Sequence, residues 1–191
     1  MHDLTARKRA LRAETRQRRR ARGEQLTVAA GEGILEQARL VIEERSASSI
    51  ACYLSAPLEP NTRPLLNWAV DAGIRVLLPV TREDGLLDWV VADGTSERTH
   101  ELGFPEATGE RLDPMAVDDV DVFFLPASSV DRSGLRLGWG RGYYDRTLGS
   151  MTRTPPTFAI VHDDELVDAV PHEPHDMPVS GVVTPTRVVV F

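Results

Sequence analysis

Apolar and polar residues form two patterns along the chain. One has the spacing typical of helices, and the other consists of the short apolar runs typical of buried strands. Residues 4–22 and 24–44 have apolar positions near helical spacing, and Gly23 separates the two segments. Residues 62–71 predict a third helix with a proline in its first turn. Short apolar runs bounded by turn residues predict strands at residues 49–54, 74–80, 86–91, 121–126, 157–161 and 187–191.

The alternation of these elements predicts an α/β fold, a single-domain three-layer α-β-α sandwich with a mostly parallel, Rossmann-like sheet. The first two strands and the helix between them span about 30 residues, the size of a βαβ unit. Residues 93–119 are polar and turn-rich, and they predict a long surface connection. We expect one domain over residues 1–191, because this length suits a single core and no domain-sized linker interrupts it.

Cysteine usage and hydropathy exclude several classes of protein. Cys52 is the single cysteine, so neither a disulfide framework nor a metal–thiolate cluster can form within the chain. Its apolar surroundings predict that it is buried. No stretch approaches the ~18 apolar residues of a membrane helix, and the N-terminus has no apolar signal region. We therefore expect a soluble, cytoplasmic protein without a membrane partner.

Charge is unevenly distributed along the chain. The formal net charge is −7, yet residues 1–22 hold nine basic side chains and two acidic ones. Two interpretations are open: the basic segment binds an anionic partner, or it is an arginine-rich helix docked on the acidic remainder of its own chain. Lys8 is the only lysine among 22 basic residues, which indicates that a compact ammonium group is required there.

A glycine-rich segment follows the strand at residues 121–126 and contains Gly138, Gly140 and Gly142. Glycine allows positive φ and close approach of a ligand, and successive backbone N–H groups form a concavity that binds anions. Arg136 and Arg141 add positive charge, and a helix that begins near Tyr143 adds its N-terminal dipole. Asp145 lies where a magnesium ligand beside phosphates would lie. The segment therefore predicts a nucleotide-phosphate site at the carboxyl end of a strand.

Four motifs, in order along the chain, share one family resemblance. They are Lys8-Arg9-Ala10-Leu11-Arg12, Tyr53-Leu54-Ser55 followed by Glu59 and Thr62, the Arg-Leu-Gly-Trp-Gly-Arg-Gly-Tyr-Tyr-Asp-Arg run from Arg136, and His175-Asp176-Met177 after Val170-Pro171. Together they resemble the 5-formyltetrahydrofolate cyclo-ligase family, also called methenyltetrahydrofolate synthetase. In that family the first motif contacts ATP, the second contacts folate, and the fourth carries a second metal-binding aspartate.

The resemblance implies a reaction. An ATP-dependent ligase that forms C–N bonds would convert 5-formyltetrahydrofolate to 5,10-methenyltetrahydrofolate, with release of ADP and phosphate. Phosphorylation would turn the formamide oxygen into a good leaving group, N10 would attack the activated carbon, and the ring would close as phosphate departs. The implied cofactors are ATP and Mg²⁺, and the implied partner is the small-molecule folate. We expect a monomer that binds no nucleic acid.

The resemblance also implies residue roles. The catalytic residues would be Tyr143, Tyr144 and Asp145, and the metal ligands Asp145 and Asp176. ATP would contact Lys8, Arg9, Ala10, Leu11, Arg12, Arg136, Leu137, Gly138, Trp139, Gly140, Arg141, Gly142, Tyr143 and Tyr144. Folate would contact Leu54, Glu59, Trp139, Gly140, Arg141, Gly142 and Tyr143.

Some positions depart from the family pattern or stay open. Trp139 stands where some members carry arginine, which leaves the role of its side chain open, and Ala107 follows Glu106 where a Glu-Pro pair is common. Trp89 is a candidate for stacking on the pterin, with a half-buried strand tryptophan as the alternative. His172 and His175 flank Asp176, but no further ligand lies at a motif spacing, which argues against a transition-metal site.

Two other functions remain as alternatives. One is an ATP-binding relative that lacks folate activity. The joint presence of the folate, tyrosine and aspartate positions argues against it. The other is an RNA- or polyphosphate-binding protein that uses the basic N-terminal helix, although that segment has no interleaved aromatic residues.

Overall fold

The structure is a computed structural model that describes residues 2–173 and 176–191. Its α-helices are His2–Ala21 (α1), Glu24–Glu44 (α2), Arg63–Asp71 (α3) and Tyr143–Ser150 (α4), and short 3-10 helices lie at Pro114–Asp119 and Asp163–Glu165. Its strands are Ser49–Ala51 (β1), Arg75–Thr81 (β2), Leu87–Val91 (β3), Glu97–Thr99 (β4), Pro105–Ala107 (β5), Val122–Pro126 (β6), Ser129–Asp131 (β7), Arg136–Leu137 (β8), Thr157–Ile160 (β9), Leu166–Val167 (β10), Gly181–Val183 (β11) and Val188–Val190 (β12). Among the described residues, no helix combines the length and apolar character needed to cross a membrane.

A seven-stranded sheet in the order β12-β11-β9-β6-β1-β2-β3 forms the centre of the molecule. The strands from β11 to β2 are parallel, and the two edge strands, β12 and β3, pair antiparallel. In the inner strand β1, Ile50 is paired with Val76 of β2 on one side and Val122 of β6 on the other. The inner strands are continuous apolar runs because both faces of the sheet are covered. The predicted mostly parallel sheet is confirmed.

Different elements cover the two faces of the sheet. On one face, Ile34 of α2 and Leu65 of α3 pack against Ile50 and Phe124. On the other face, the 3-10 helix at Pro114–Asp119, α4 and β7 contribute Val117, Leu148 and Val130. The arrangement is the three-layer sandwich that the sequence predicts. Cys52 is fully buried in the first of these cores, also as predicted.

The structure has several short strands that the sequence patterns do not predict. Residues 93–119 contain the β4–β5 hairpin, which is joined to β2 by Glu106, a buried carboxylate that bonds Thr81 and Arg98. The segment before Gly138 contains β7 and β8, which form a second sheet with β10. Strands of two or three residues are too short for a period-two pattern, so they were included in predicted loops.

Polar contacts dock helix α1 on the rest of the protein. Thr15 and Arg19 are its only residues in the buried class among those that the structure describes. The guanidinium of Arg19 donates to both carboxylate oxygens of Glu165, at 2.7 and 2.8 Å, and to the carbonyl of Ala127 at 2.9 Å. Thr15 lies 3.3 Å from the hydroxyl of Ser129. The helix therefore depends on a buried ion pair for its position.

Part of the positive charge of α1 is paired within the chain, as the second interpretation of the basic segment expects. Arg18 and Arg22 both pair with Asp164, next to the buried Arg19–Glu165 pair. The C-terminal half of α1 is thus bound to acidic residues of its own chain.

We predict that Arg19→Met destabilises the protein by roughly 3–5 kcal/mol, because it leaves the Glu165 carboxylate buried without its partner. Arg63→Met is the matched control, since Arg63 pairs with Glu97 at the surface. Its loss should change the free energy of unfolding by about 1 kcal/mol or less. Urea denaturation measures both values, and equal destabilisation of the two variants would contradict this account.

Candidate functional site

A cavity of about 490 Å³ lies at the carboxyl ends of three neighbouring strands. Its walls include Tyr53 and Leu54 after β1, Thr81 at the end of β2 and Pro126 at the end of β6. The chain passes from β1 to β2 on one side and later enters β6 on the other side, so the strand order reverses at β1. Ligands bind at such switch points in open α/β sheets.

The glycine loop, residues 138–142, forms one wall of the cavity and meets α1. Gly140 and Gly142 have φ values of 95° and 71°, in the left-handed region that favours glycine. Arg12 donates from Nε to the carbonyl of Gly138 at 2.7 Å. A Cβ atom at Gly140 would lie 3.4 Å from the Arg12 guanidinium, so the loop passes close beside this cation. The loop therefore combines exposed backbone with positive charge.

Cations and carboxylates alternate around the same end of the cavity. The ammonium group of Lys8 donates to Glu173 at 2.8 Å and to Asp176 at 3.0 Å. Burial lowers the pKa of Lys8, but the bonds to these carboxylates outweigh burial and raise the pKa above its usual value. Arg136 donates to Asp145 at 2.6 Å. Each of the two predicted metal ligands is thus paired with a cation.

A second group of residues in the cavity is centred on Glu59. Its carboxylate accepts a hydrogen bond from the backbone N–H of Ala56 at 2.9 Å, and burial raises its pKa. Burial also raises the pKa values of Tyr53 and Tyr144 well above the usual value, with the charge of Glu59 as the next cause. Among the described residues, the buried hydroxyl of Tyr53 has no hydrogen-bond partner. This group therefore offers a carboxylate and an unsatisfied hydroxyl to a ligand.

Most of the residues predicted from the sequence line this cavity. They are Lys8, Arg12, Leu54, Glu59, Arg136, Leu137, Gly138, Trp139, Gly140, Arg141, Gly142, Tyr143, Tyr144, Asp145 and Asp176. Arg9 and Ala10 are instead exposed, Leu11 is half-buried, and these three do not line the cavity.

The proposed stacking of Trp89 on the pterin is wrong. Trp89 is fully buried in the core and lies edge-on to Phe123, with ring centroids 5.6 Å apart. It is more deeply buried than the half-buried alternative, because the strand that carries it is covered by Leu112 and the 3-10 helix beyond it.

Several residues that line the cavity were absent from the predicted set. Tyr53 belongs to the second motif but had no predicted role, and Glu173 lies two residues before His175 of the fourth motif. Thr81, Phe104 and Pro105 come from β2 and the β4–β5 hairpin. Tyr53 could have been found from its place beside Leu54 at the end of a strand. Phe104 had no such signal, because its position depends on a hairpin that the sequence pattern does not reveal.

The described residues contain no group of three or more His, Cys, Asp or Glu side chains that could hold a metal ion. His172 is exposed, and His175 lies outside the described residues. The oxygen donors that line the cavity include the carboxylates of Asp145 and Asp176. Carboxylates suit Mg²⁺, because this ion usually takes only one or two of them from the protein and completes its shell with water and phosphates.

The fold and the cavity define an α/β protein with a candidate ligand site at the carboxyl edge of a mostly parallel sheet. Residues 4–185 match the 5-formyltetrahydrofolate cyclo-ligase family, and the chain belongs to this family. The relatives that carry this name are ligases, so the protein is an enzyme of that class.

Individual relatives support the family assignment. The chain is 39% identical over 150 residues to a 5-formyltetrahydrofolate cyclo-ligase of Mycolicibacterium smegmatis, which covers 76% of this chain and 77% of the relative. It is 35% identical over 147 residues to one of Escherichia coli K12, covering 74% and 80%. The NMR structure of Aquifex aeolicus 5,10-methenyltetrahydrofolate synthetase shares the fold, with a TM-score of 0.79, 24% identity, and coverage of 96% of this chain and 92% of that one.

Proposed function

We propose that the protein converts 5-formyltetrahydrofolate to 5,10-methenyltetrahydrofolate and couples this conversion to cleavage of ATP into ADP and phosphate. The observation that carries the proposal is one cavity lined by two chemically different groups of residues. One group is the glycine loop with Lys8, Arg12 and Arg136, and the other contains Leu54 and Glu59. A phosphoryl donor and a folate bound by these groups would meet between them, beside Tyr143 and Tyr144.

The nucleotide would bind at the cationic end. Backbone N–H groups of residues 138–142 would contact its phosphates, and Lys8, Arg12 and Arg136 would neutralise their charge. Within α1 we assign these contacts to Lys8 and Arg12, because Arg9 and Ala10 are exposed outside the cavity. Within this motif, Lys8 and Arg12 therefore lie on the face of α1 toward the cavity, whereas Arg9 and Ala10 lie on the face toward solvent.

The carboxylates at this end fit a Mg²⁺ ion. Asp145 and Asp176 line the same cavity. Burial lowers the pKa of Arg136, and the charges of both aspartates act in the opposite direction, so both carboxylates lie near this guanidinium. A metal–triphosphate also alternates positive and negative charge, so its phosphates can pair with Lys8 and Arg136 while its metal pairs with the two aspartates. When bound there, the ion would neutralise the charge on phosphate oxygens.

The protein would act mainly by position and electrostatics. Transfer of the γ-phosphoryl group to the formyl oxygen breaks the bond to ADP and makes phosphate the leaving group on that carbon. N10 then forms the new C–N bond and gives up its proton, and the C–O bond breaks as inorganic phosphate leaves. Glu59 would hold the pterin by accepting hydrogen bonds, and Tyr143 and Tyr144 would enclose the reacting atoms.

We predict that ADP forms only when 5-formyltetrahydrofolate is present, with one methenyl product for each ATP cleaved. The measurement combines the absorbance of the methenyl product with an ADP assay at saturating Mg²⁺. ATP hydrolysis that proceeds at the same rate without the folate, and without methenyl product, would favour an ATP-binding relative that lacks folate activity.

Lys8→Ala should raise the KM for ATP by roughly tenfold or more with a smaller effect on the KM for folate, because it removes a charge-assisted contact to phosphate. Lys8→Arg should restore ATP binding only in part, since a guanidinium fork does not replace a compact ammonium group. Arg20→Ala is the control, because Arg20 is exposed on the same helix. Unchanged ATP kinetics in both Lys8 variants would remove Lys8 from the nucleotide site.

Asp145→Asn should lower kcat by at least about tenfold while folate binding changes less, because the shape remains but a metal-binding charge is lost. Asp176→Asn should act in the same direction, and higher Mg²⁺ should partly restore both variants. Asp168→Asn is the matched control, since the Asp168 side chain is 98% exposed. Full activity of the Asp145→Asn enzyme would refute the metal assignment.

A further inference from the structure

The ring of Trp139 contacts two arginines of helix α1. The guanidinium carbons of Arg16 and Arg19 are each 5.1 Å from the centroid of this ring. Cations at this distance over a tryptophan face are attracted by its quadrupole. Because Trp139 belongs to the glycine loop, the contact joins that loop to α1.

Arg19 gives this contact a rigid reference point. Its Nε and Nη2 atoms donate to Glu165 and the carbonyl of Ala127, whereas its buried Nη1 atom has no hydrogen-bond acceptor in the described part of the chain. The guanidinium group lies beside the ring, so the face of Trp139 compensates for this missing acceptor. The orientation of the indole is therefore determined by a side chain that is itself held by a buried ion pair.

The same indole and Glu59 line one cavity. The Nε1 atom of Trp139 is buried and makes no hydrogen bond of normal geometry to any described residue. Burial raises the pKa of the Glu59 carboxyl, and the indole of Trp139 is one of the groups that lower it. A buried N–H without a full hydrogen bond is unfavourable, so this donor favours a carboxylate held in front of it.

We propose that Trp139 is a positioning residue that orients the Glu59 carboxylate for the substrate and joins it to the glycine loop and to α1. The identity of the substrate as a folate rests on the proposed function, whereas the Trp139–Glu59 contact does not. The side chain of Trp139, whose role the family pattern leaves open, thus links the glycine loop to Glu59. Nucleotide contacts on the loop and substrate contacts on Glu59 then depend on the same ring.

The charge state of Glu59 provides a specific readout. Burial raises its pKa, and the N–H of Ala56, the charge of Arg19 and the indole of Trp139 lower it. Tyr53 and Tyr144 are the other titratable groups that face it, and burial raises the pKa values of both. Removing the indole N–H should therefore raise the pKa of Glu59. If the ionised carboxylate binds the substrate, the acid limb of kcat/KM for the substrate moves to higher pH.

Trp139→Phe tests the proposal because phenylalanine keeps an aromatic ring beside Arg16 and Arg19 but has no N–H group. We expect a roughly tenfold rise in the KM for 5-formyltetrahydrofolate, a change of about twofold or less in the KM for ATP, and the upward shift of the acid limb. Trp139→Ala, which also removes the ring, should raise both KM values. Trp68→Phe is the control, because Trp68 also lies against an arginine, Arg39, at 5.1 Å but lies away from the cavity.

NMR of protein with ¹⁵N-labelled tryptophan tests the contact without any substrate. The indole resonance that disappears in Trp139→Phe should titrate with pH in the wild type and should shift and stop titrating in Glu59→Gln, whereas the Trp68 resonance should not change. An indole resonance of Trp139 that ignores Glu59→Gln would overturn the proposal, as would normal folate KM and an unchanged acid limb in Trp139→Phe. If the wild type makes no methenyl product, the proposed function fails and the NMR result alone decides the contact.

Discussion

The buried ion pair between Arg19 and Glu165 is the interaction on which the candidate site depends. In the described part of the chain, α1 contributes no residue to either hydrophobic core, so apolar burial does not hold it in place. A buried pair adds little net stability, because desolvation offsets the attraction, but loss of one partner is costly. The pair therefore defines one docked position of α1 rather than a strongly stabilised one. That position brings Arg12 to the carbonyl of Gly138 and Lys8 to Asp176.

The docked helix completes a site in which charges of both signs are balanced before any ligand binds. Lys8 and Arg136 pair with carboxylates that line the cavity, and Arg19 lies between its buried partner and the ring of Trp139. A ligand with charges of one sign would have to disrupt these pairs, whereas the metal–nucleotide that we propose would replace them partner for partner. Under the proposed function, the electrostatic arrangement would therefore favour joint entry of metal and triphosphate.

The sequence predicted the parts of this protein that have a strong local signal. Long helices have a clear apolar period, and buried five-residue strands are continuous apolar runs. In residues 138–142 the alternating glycines indicate a backbone that needs positive φ values and close approach of a ligand. Two-residue strands such as β8 lack a period, and Phe104 reaches the cavity only because a tertiary hairpin carries it there. The environment of Trp139 could not be predicted either, since Arg16 and Arg19, which contact its ring, lie more than a hundred residues away along the chain.

Amide hydrogen exchange of α1 tests most directly whether this helix forms half of the nucleotide site. It should be measured with and without a non-hydrolysable ATP analogue and Mg²⁺, with mass spectrometry of peptides from α1, α2 and the glycine loop. Nucleotide should slow exchange in the first half of α1 and in the segment after Gly142, while exchange in α2 should stay the same. Protection of the loop without any change in α1 would contradict the proposed role of this helix.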